Sequence, residues 1–414
     1  MLRRLCAIAI FTILLNSSLT LAAPKDPRDP SQADKFPPSP LEVTTPDPLV
    51  RPSADKQPLT AEEQQTLATA LDELNQQATA TLQAGDKVTA FEIWNREIRL
   101  RRYLGTIPEV EALSRVGAIA WNQNDRQEVF YITQRLQAIQ KQALSPKIIA
   151  QQGVNLELLQ ALGEAFQNVR SPKNALEVYN QILTAVRQQQ DKTAELSTLQ
   201  TIAELHLAWF DYPNAAATYQ ELLNIATVGG DRTSELTYLQ QLAYVYQQGK
   251  QPQQAIDTLN KLALMYTDPE NILKLPELKL AIASNYESLA KENPSLIQEA
   301  FNNYQQAYTT AWESQQFVLA AEALQKLIAL YRSQGQIDAA LQTSQILIAT
   351  QDKAYNYYGL MQAYDQIGQI YLQQKNYPQA LSAFQQGLQL AQQLKHEESY
   401  FTQQIEKVSK ESGQ

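Results

Sequence analysis

Residues that commonly carry chemistry are scarce in this chain of 414 residues. It contains one cysteine, Cys6, and two histidines, His206 and His396, which stand far apart. With one cysteine, a single chain cannot form a disulfide or a zinc site of several thiolates, and the two isolated histidines give no indication of a Ser-His-Asp triad. The 13 glycines are spread thinly and form no phosphate-binding loop. We therefore predict that the protein is not an enzyme.

Two glutamates offer a different chemistry. Glu164 and Glu204 are separated by the same interval in the chain as Gln160 and Gln200, which precede them. Oxygen ligands of this kind suit hard divalent cations such as calcium or manganese, provided that the fold brings the two carboxylates together. The alternative is that glutamate and glutamine are simply soluble helix formers on exposed faces. One hypothesis is therefore a protein that binds or delivers a divalent cation, with no other cofactor.

The net charge limits the class of partner. The formal charge of the chain is −9 at pH 7. The phosphates of a nucleic acid would meet net repulsion instead of a basic patch, so we exclude DNA and RNA as ligands. Cationic or neutral partners remain.

The N-terminal part of the sequence predicts export followed by a linker. Residues 1–22 begin with the basic pair Arg3 and Arg4, continue with an apolar run at 5–15 and end in the small residue Ala22. This order is typical of a secretory signal peptide, and the apolar run is too short for the ~20 residues that cross a bilayer as a helix. We expect the periplasm, with the thylakoid lumen or the extracellular medium as alternatives. Residues 23–60 are rich in proline, which predicts a disordered linker.

A pattern of small and aromatic residues recurs along the rest of the chain. A small residue is followed three places later by a larger one and twelve places later by alanine, and the pattern returns with a period of about 40 residues. Each copy predicts two helices whose backbones approach closely, and neither helix can bury its apolar stripe alone. About eight copies can be aligned. The clearest are Gly163/Phe166/Ala175/Tyr179, Ala203/His206/Ala215/Tyr219, Ala243/Tyr246/Ala255/Leu259 and Gly368/Tyr371/Ala380/Phe384.

These anchors resemble the tetratricopeptide repeat (TPR), and the resemblance extends over roughly residues 65 to 395. It implies an all-α fold, a right-handed superhelical solenoid of about eight helix-turn-helix repeats. We place the solenoid at 61–395 and a C-terminal capping helix and tail at 396–414. The 40-residue period is longer than the usual 34 of the family, which predicts longer helices.

In the TPR family the first helix of each repeat lines a concave groove. The resemblance implies that this groove is glutamine-rich and acidic here, and that it binds a protein or an extended peptide. The aromatic residues on this face could anchor a partner or pack between neighbouring helices. The predicted groove residues are Trp121, Glu157, Gln160, Glu164, Gln200, Glu204, Gln240, Tyr244, Gln247, Glu287 and Arg332.

One basic cluster contrasts with this acidic surface. Arg96, Arg99, Arg101 and Arg102 stand together on the predicted second helix of the first repeat. The simpler interpretation is a solvated face that pairs with neighbouring glutamates. The alternative is contact with an acidic partner or with anionic lipid, which would give a peripheral membrane association.

These features predict an exported, non-enzymatic scaffold that binds a client chain in its groove and assists the assembly of a larger complex. An exported, glutamine-rich TPR solenoid with a proline-rich lead-in resembles the envelope TPR proteins of cyanobacteria, such as the processing-associated factor of photosystem II assembly. That resemblance implies binding of the C-terminal tail of a photosystem subunit and handling of manganese. The alternative function is delivery of a divalent metal through groove carboxylates.

Overall fold

A computed structural model describes residues 36–51, 54, 57–266 and 269–413 of the chain. Within these residues the regular structure is helical and contains no strand. None of the described helices combines the length and the apolar character needed to cross a membrane. The predicted signal peptide at 1–22 and residues 23–35 of the predicted linker lie outside the described residues.

Helical hairpins follow one another along the described chain, as the repeat pattern predicted. Eight pairs are present, namely α1/α2, α3/α4, α6/α7, α8/α9, α10/α11, α13/α14, α15/α16 and α17/α18, with two short helices between pairs and one helix after the last. The bounds are α1 Ala61–Gln83, α2 Lys87–Arg101, α3 Thr106–Asn122, α4 Arg126–Ala143, α5 Pro146–Gln152, α6 Leu156–Asn168, α7 Pro172–Gln188, α8 Lys192–Ala208, α9 Tyr212–Gly229, α10 Arg232–Gln248, α11 Pro252–Met265, α12 Pro269–Ile272, α13 Leu275–Ala290, α14 Ile297–Glu313, α15 Phe317–Ser333, α16 Ile337–Lys353, α17 Tyr357–Gln373, α18 Tyr377–Leu394 and α19 Glu398–Ser412.

The small anchor residues allow the close packing that the sequence predicted. A methyl group added at Gly163 would lie 2.8 Å from the ring of Tyr179, and one added at Gly368 would lie 2.6 Å from the ring of Phe384. Both distances are too short for real carbon contacts, so only glycine lets the aromatic ring of the second helix pack against the first. After the last hairpin, α19 packs on α18 and buries Phe401 completely.

The turns between helices show how the repeat ends each helix. Aspartates such as Asp191 and Asp231 accept hydrogen bonds from the first turn of the next helix, at 3.0 Å and 3.1 Å. Several turns also place a residue other than glycine in the left-handed region, directly after the helix C-cap. These residues are Asn124, Arg170, Gln190, Phe210, Lys250, Gln315, Tyr355 and Lys375.

Phe210 is an unfavourable residue for such a turn, and its replacement by glycine should stabilise the protein. Its φ is +59°, and its side chain is 75% exposed and so contributes little burial. We expect Phe210→Gly to raise the free energy of unfolding by about 1 kcal/mol, because glycine adopts this conformation without a steric cost. Urea denaturation would measure the change. Phe210→Ala is the control, since alanine keeps the steric cost; an equal gain from alanine would contradict the explanation.

The structure differs from the linker prediction over residues 36–51, which we call the clasp. Leu41 has no exposed surface, and residues Pro40–Glu42 form a short 3-10 helix that packs on α2 and α4. Asp47 forms a bidentate pair with Arg96, with distances of 2.7 Å and 2.9 Å. The proline content did prevent a long helix, but buried leucine and paired charges hold the segment against the repeats.

Candidate functional site

The first helices of the repeats expose the polar residues that the sequence placed in the groove. On α6, Glu157, Gln160 and Glu164 are exposed, whereas Leu159 and Leu162 between them are buried. The spacing of three and four residues puts the polar side chains on one helix face. On α8 the same positions are Gln200 and Glu204, and on α10 they are Gln240 and Tyr244; all four are exposed.

The exposed glutamates of this face have no partner within the described chain. Glu157, Glu164 and Glu204 make neither an ion pair nor a side-chain hydrogen bond with any described residue. By contrast, Glu97 of α2 is fully buried and bound to Arg115 at 2.7 Å. The α6 and α8 face therefore carries uncompensated negative charge. We name these three residues, Glu157, Glu164 and Glu204, the acidic strip.

Two predicted groove glutamines also bind within the solenoid. The Gln200 amide donates a hydrogen bond to the Tyr238 hydroxyl at 2.9 Å, and the Gln240 amide donates to the Tyr266 hydroxyl at 3.1 Å. Both predicted groove residues are thus partly engaged within the solenoid, because their NH₂ groups bind tyrosine hydroxyls of the following hairpin or turn. Their carbonyl oxygens remain as acceptors.

The other predicted groove residues fall into two groups. Trp121 and Tyr244 are 46% and 48% exposed, so both can contact a partner. Gln247 is partly buried, and Glu287 accepts a hydrogen bond from the Tyr304 hydroxyl at 2.9 Å. Burial and the nearby Glu287 carboxylate raise the pKa of Tyr304, which keeps the proton that it donates. Glu287 thus links α13 to α14, and its carboxylate is not free for a partner protein in the way that the sequence analysis expected.

Arg332 lies in a polar depression at the C-terminal end of this face. The depression has a volume of about 510 Å³ and is lined by Arg332, Ala363, Asp365 and the glutamines at 325, 362, 366, 369 and 373. The Arg332 guanidinium forms no ion pair or hydrogen bond within the part of the chain described here. Asp365 accepts a hydrogen bond from Tyr400 of α19 at 2.9 Å. Arg332 thus adds a cationic side chain to this polar depression.

The structure adds no described ligand to the predicted cation site at Glu164 and Glu204. Among the described residues, no group of three or more histidine, cysteine, aspartate or glutamate side chains is placed to hold a metal ion. A site at Glu164 and Glu204 would therefore rest on these two exposed carboxylates. It stays a prediction.

The basic cluster is not a free cationic face. Arg101 and Arg102 bind Glu97 and Glu109 at 3.0 Å and 2.7 Å, as the simpler interpretation expected. Arg96 and Arg99 instead bind the clasp, a contact that the sequence analysis missed because the partners are 49 and 59 residues away in the chain.

Comparison with known proteins agrees with the repeat geometry. A family model for the tetratricopeptide repeat matches residues 362–394, which cover much of α17 and α18. The seven preceding hairpins within the described chain repeat the same two-helix unit. Residues 362–394 therefore match a tetratricopeptide repeat, and the described hairpins before them have the same two-helix form. No curated protein matches this chain.

Several solved structures resemble parts of this chain. A signal-transduction ATPase with a tetratricopeptide repeat sensor, from Pyrococcus horikoshii, is 13% identical, covers 86% of this chain and 50% of that chain, and has a TM-score of 0.41. Aspartyl phosphate phosphatase F from Bacillus subtilis is 15% identical over 72% of this chain and 77% of that chain, with a TM-score of 0.40. BtubC from P. vanneervenii is 15% identical over 54% of this chain and 92% of that chain, with a TM-score of 0.37. Similarity at this level carries no argument about what the chain binds.

Proposed function

We propose that this TPR protein is a non-enzymatic scaffold that binds a partner protein along the exposed face of its first helices. The observation that carries the proposal is the acidic strip, whose three carboxylates have no partner among the described residues. Exposed like charges on one surface repel one another, and an oppositely charged ligand relieves that repulsion. The face is therefore suited to a partner segment that carries lysine or arginine.

An extended segment fits this surface better than a folded domain. The exposed positions recur once per hairpin, so a ligand that runs along the solenoid meets the same helix face in each repeat. The carbonyl oxygens of Gln200 and Gln240 can accept from the backbone N–H groups of such a segment, and the exposed Tyr244 ring offers an apolar contact. Arg332 offers one position for a carboxylate.

The biological setting follows from the N-terminal sequence. The secretory signal expected at 1–22 would place the solenoid in the periplasm, the thylakoid lumen or the medium, where we propose that it assists assembly of a larger complex. We propose a photosynthetic membrane complex as one such client, with a tail that would bind as an extended segment.

Charge reversal of the acidic strip should strongly weaken the binding of basic peptides. Peptides would be selected from a random displayed library on the wild-type chain, and their affinities measured by fluorescence anisotropy. We expect the selected peptides to be enriched in lysine and arginine. We expect the triple variant Glu157→Lys, Glu164→Lys, Glu204→Lys to bind them at least about tenfold more weakly, because attraction becomes repulsion at three positions.

A matched variant controls for net charge. Glu177→Lys, Glu292→Lys and Glu299→Lys change the same total charge at exposed positions away from the first helices. This control should bind the selected peptides about as tightly as the wild type. Equal loss in both variants, or selection of acidic peptides, would contradict the proposed groove.

A further inference from the structure

The clasp lies on a row of arginine side chains. Arg96 and Arg99 of α2 and Arg102 at its C-terminal end are three residues apart, so they project from one helix face. Arg135 of α4 stands beside this row, since both Arg102 and Arg135 bind Glu109 at 2.7 Å. These four residues form what we call the arginine row.

The surface binds the clasp mainly through its backbone. Arg99 donates a hydrogen bond to the Pro40 carbonyl at 2.7 Å, and Arg102 donates to the Leu41 carbonyl at 2.8 Å. The Tyr131 hydroxyl of α4 donates to the Pro37 carbonyl at 2.8 Å. Three main-chain carbonyls of the clasp are thus held by side chains of two different repeats. Contacts of this type recognise an extended peptide whatever side chains it carries.

Side chains add selectivity to these backbone contacts. Leu41 is fully buried and serves as the apolar anchor. Asp47 pairs bidentately with Arg96, and Glu42 lies 3.6 Å and 3.8 Å from Arg102 and Arg135. The clasp therefore has the composition of a ligand: a buried leucine, an acidic residue directly after it and a second carboxylate further along the segment.

The clasp fills its site incompletely. Cavities of about 390 Å³ and 420 Å³ lie along it, one bounded by Asp47 and Arg102, the other by Pro40 and Glu128. At the second cavity, Glu128 Oε1 and Asn95 Oδ1 are buried and receive no hydrogen bond from any described residue. A buried acceptor without a donor costs free energy that hydration would recover. These two unsatisfied acceptors lie beside the cavity that Pro40 of the clasp lines.

We propose that the clasp is a displaceable internal ligand, and that the arginine row beneath it binds an extended acidic segment of a partner protein. The partner segment would carry an apolar residue followed by a carboxylate, as Leu41 and Glu42 do. This second site differs in charge from the acidic strip and lies on the second helices α2 and α4. The two surfaces select partners of opposite charge, so this proposal stands independently of the groove.

Binding of the clasp sequence in trans tests the proposal. The probe is a fluorescently labelled synthetic peptide of residues 36–51, titrated into the full chain. The release variant Leu41→Asp, Asp47→Ala weakens the internal ligand, and we expect it to bind the probe at least about tenfold more tightly than the wild type. Adding Arg96→Glu and Arg99→Glu to the release variant should abolish binding. A probe peptide with Leu41→Asp is the matched control and should not bind.

Two outcomes would overturn the proposal. The first is a folded release variant that binds the probe no better than the wild type. The second comes from hydrogen exchange of the wild type, which remains informative if the release variant fails to fold. We expect clasp amides to exchange at least about tenfold faster than the amides in the middle of α2, and equal rates would show that the clasp opens only with the whole repeat. The wild-type chain could also form a dimer that the double variant Arg96→Glu, Arg99→Glu does not form. In that case the segment bound at the arginine row would belong to a second copy of this chain, and the proposal of a partner protein would be wrong.

Discussion

Replacement of Trp94 with alanine should lower the free energy of unfolding by about 3–5 kcal/mol, the usual cost of removing a large buried aromatic side chain. Trp94 is 1% exposed, and its ring lies 5.4 Å from that of Phe91. Its indole N–H donates a hydrogen bond to Asn75 Oδ1 at 3.0 Å, which joins α2 to α1. Alanine would leave a cavity inside the first hairpin and remove this link between its helices. Urea denaturation followed by circular dichroism would measure the loss.

Trp121→Ala is the matched control for this experiment. Trp121 is 46% exposed, so its truncation removes about half as much buried surface as that of Trp94 and should cost about half as much. Because each repeat contacts mainly its neighbours, the effect of Trp94→Ala should be concentrated in the first repeats, where hydrogen exchange should accelerate most. Similar losses for the two tryptophans would contradict the packing of the first hairpin.

Stability should fall as the pH rises from about 5 to about 8, and Glu128 should be the cause. Glu128 is 6% exposed, and burial raises the pKa of its carboxyl from 4.5 to about 7. The hydrogen bond from Asn95 lowers this pKa and the charge of Asp125 raises it, both by less than burial does. The folded state therefore keeps the proton to a higher pH than the unfolded chain. The contribution of Glu128 to the free energy of unfolding is therefore fully present below pH 4.5 and is lost as the pH rises through 7. The loss is about 3 kcal/mol.

Glu128→Gln removes this titration and should therefore abolish the fall in stability between about pH 5 and about pH 8. Urea midpoints of the two proteins at pH 5, 6, 7 and 8 would be compared, so that groups common to both cancel. The carboxyls whose pKa the fold lowers, such as Asp47 and Glu195, change stability only below this window. We expect the variant to become relatively more stable as the pH rises. Parallel curves for the two proteins would show that Glu128 is not buried as described.

Glu128 and the clasp line the same cavity. The charged groups around it are Lys87, Glu92 and Arg99 on α2 and Asp125 in the turn before α4, and Pro40 of the clasp lines the same cavity. Lys87 is paired with Asp125 at 2.9 Å and does not neutralise the buried carboxyl. Because Pro40 of the clasp lines the same cavity as Glu128, we expect release of the clasp to become easier as the pH rises and Glu128 ionises.

Local patterns explain why so much of the fold could be predicted. The close pairing of Gly163 with Tyr179 and of Gly368 with Phe384 depends on residues within one hairpin, and the repeat period is visible in the sequence alone. Aspartate caps such as Asp191 depend on only three neighbouring residues. The predicted face of the first helices followed from the same periodicity, which is why Glu157, Gln160 and Glu164 are exposed together on α6.

Contacts between distant residues explain the errors. Composition marked residues 36–51 as a linker, since prolines and charges are abundant there. Their partners on α2 and α4 are 49 to 94 residues away, and no local pattern reveals such a pairing. The hydroxyl groups that bind Gln200 and Gln240 likewise belong to later helices or turns.

The amino-acid sequence by itself determined that this protein is a helical-repeat solenoid poor in cysteine and histidine, because helix periodicity and residue types are local properties. Only the tertiary structure decided which charges are neutralised. Among the described residues it left Glu157, Glu164 and Glu204 unpaired, bound the arginine row to the clasp and buried Glu128 beside Pro40. A charged side chain attracts a partner only if no group of opposite charge lies within a few ångströms of it. The distances between charged groups on different helices are set only when the repeats pack.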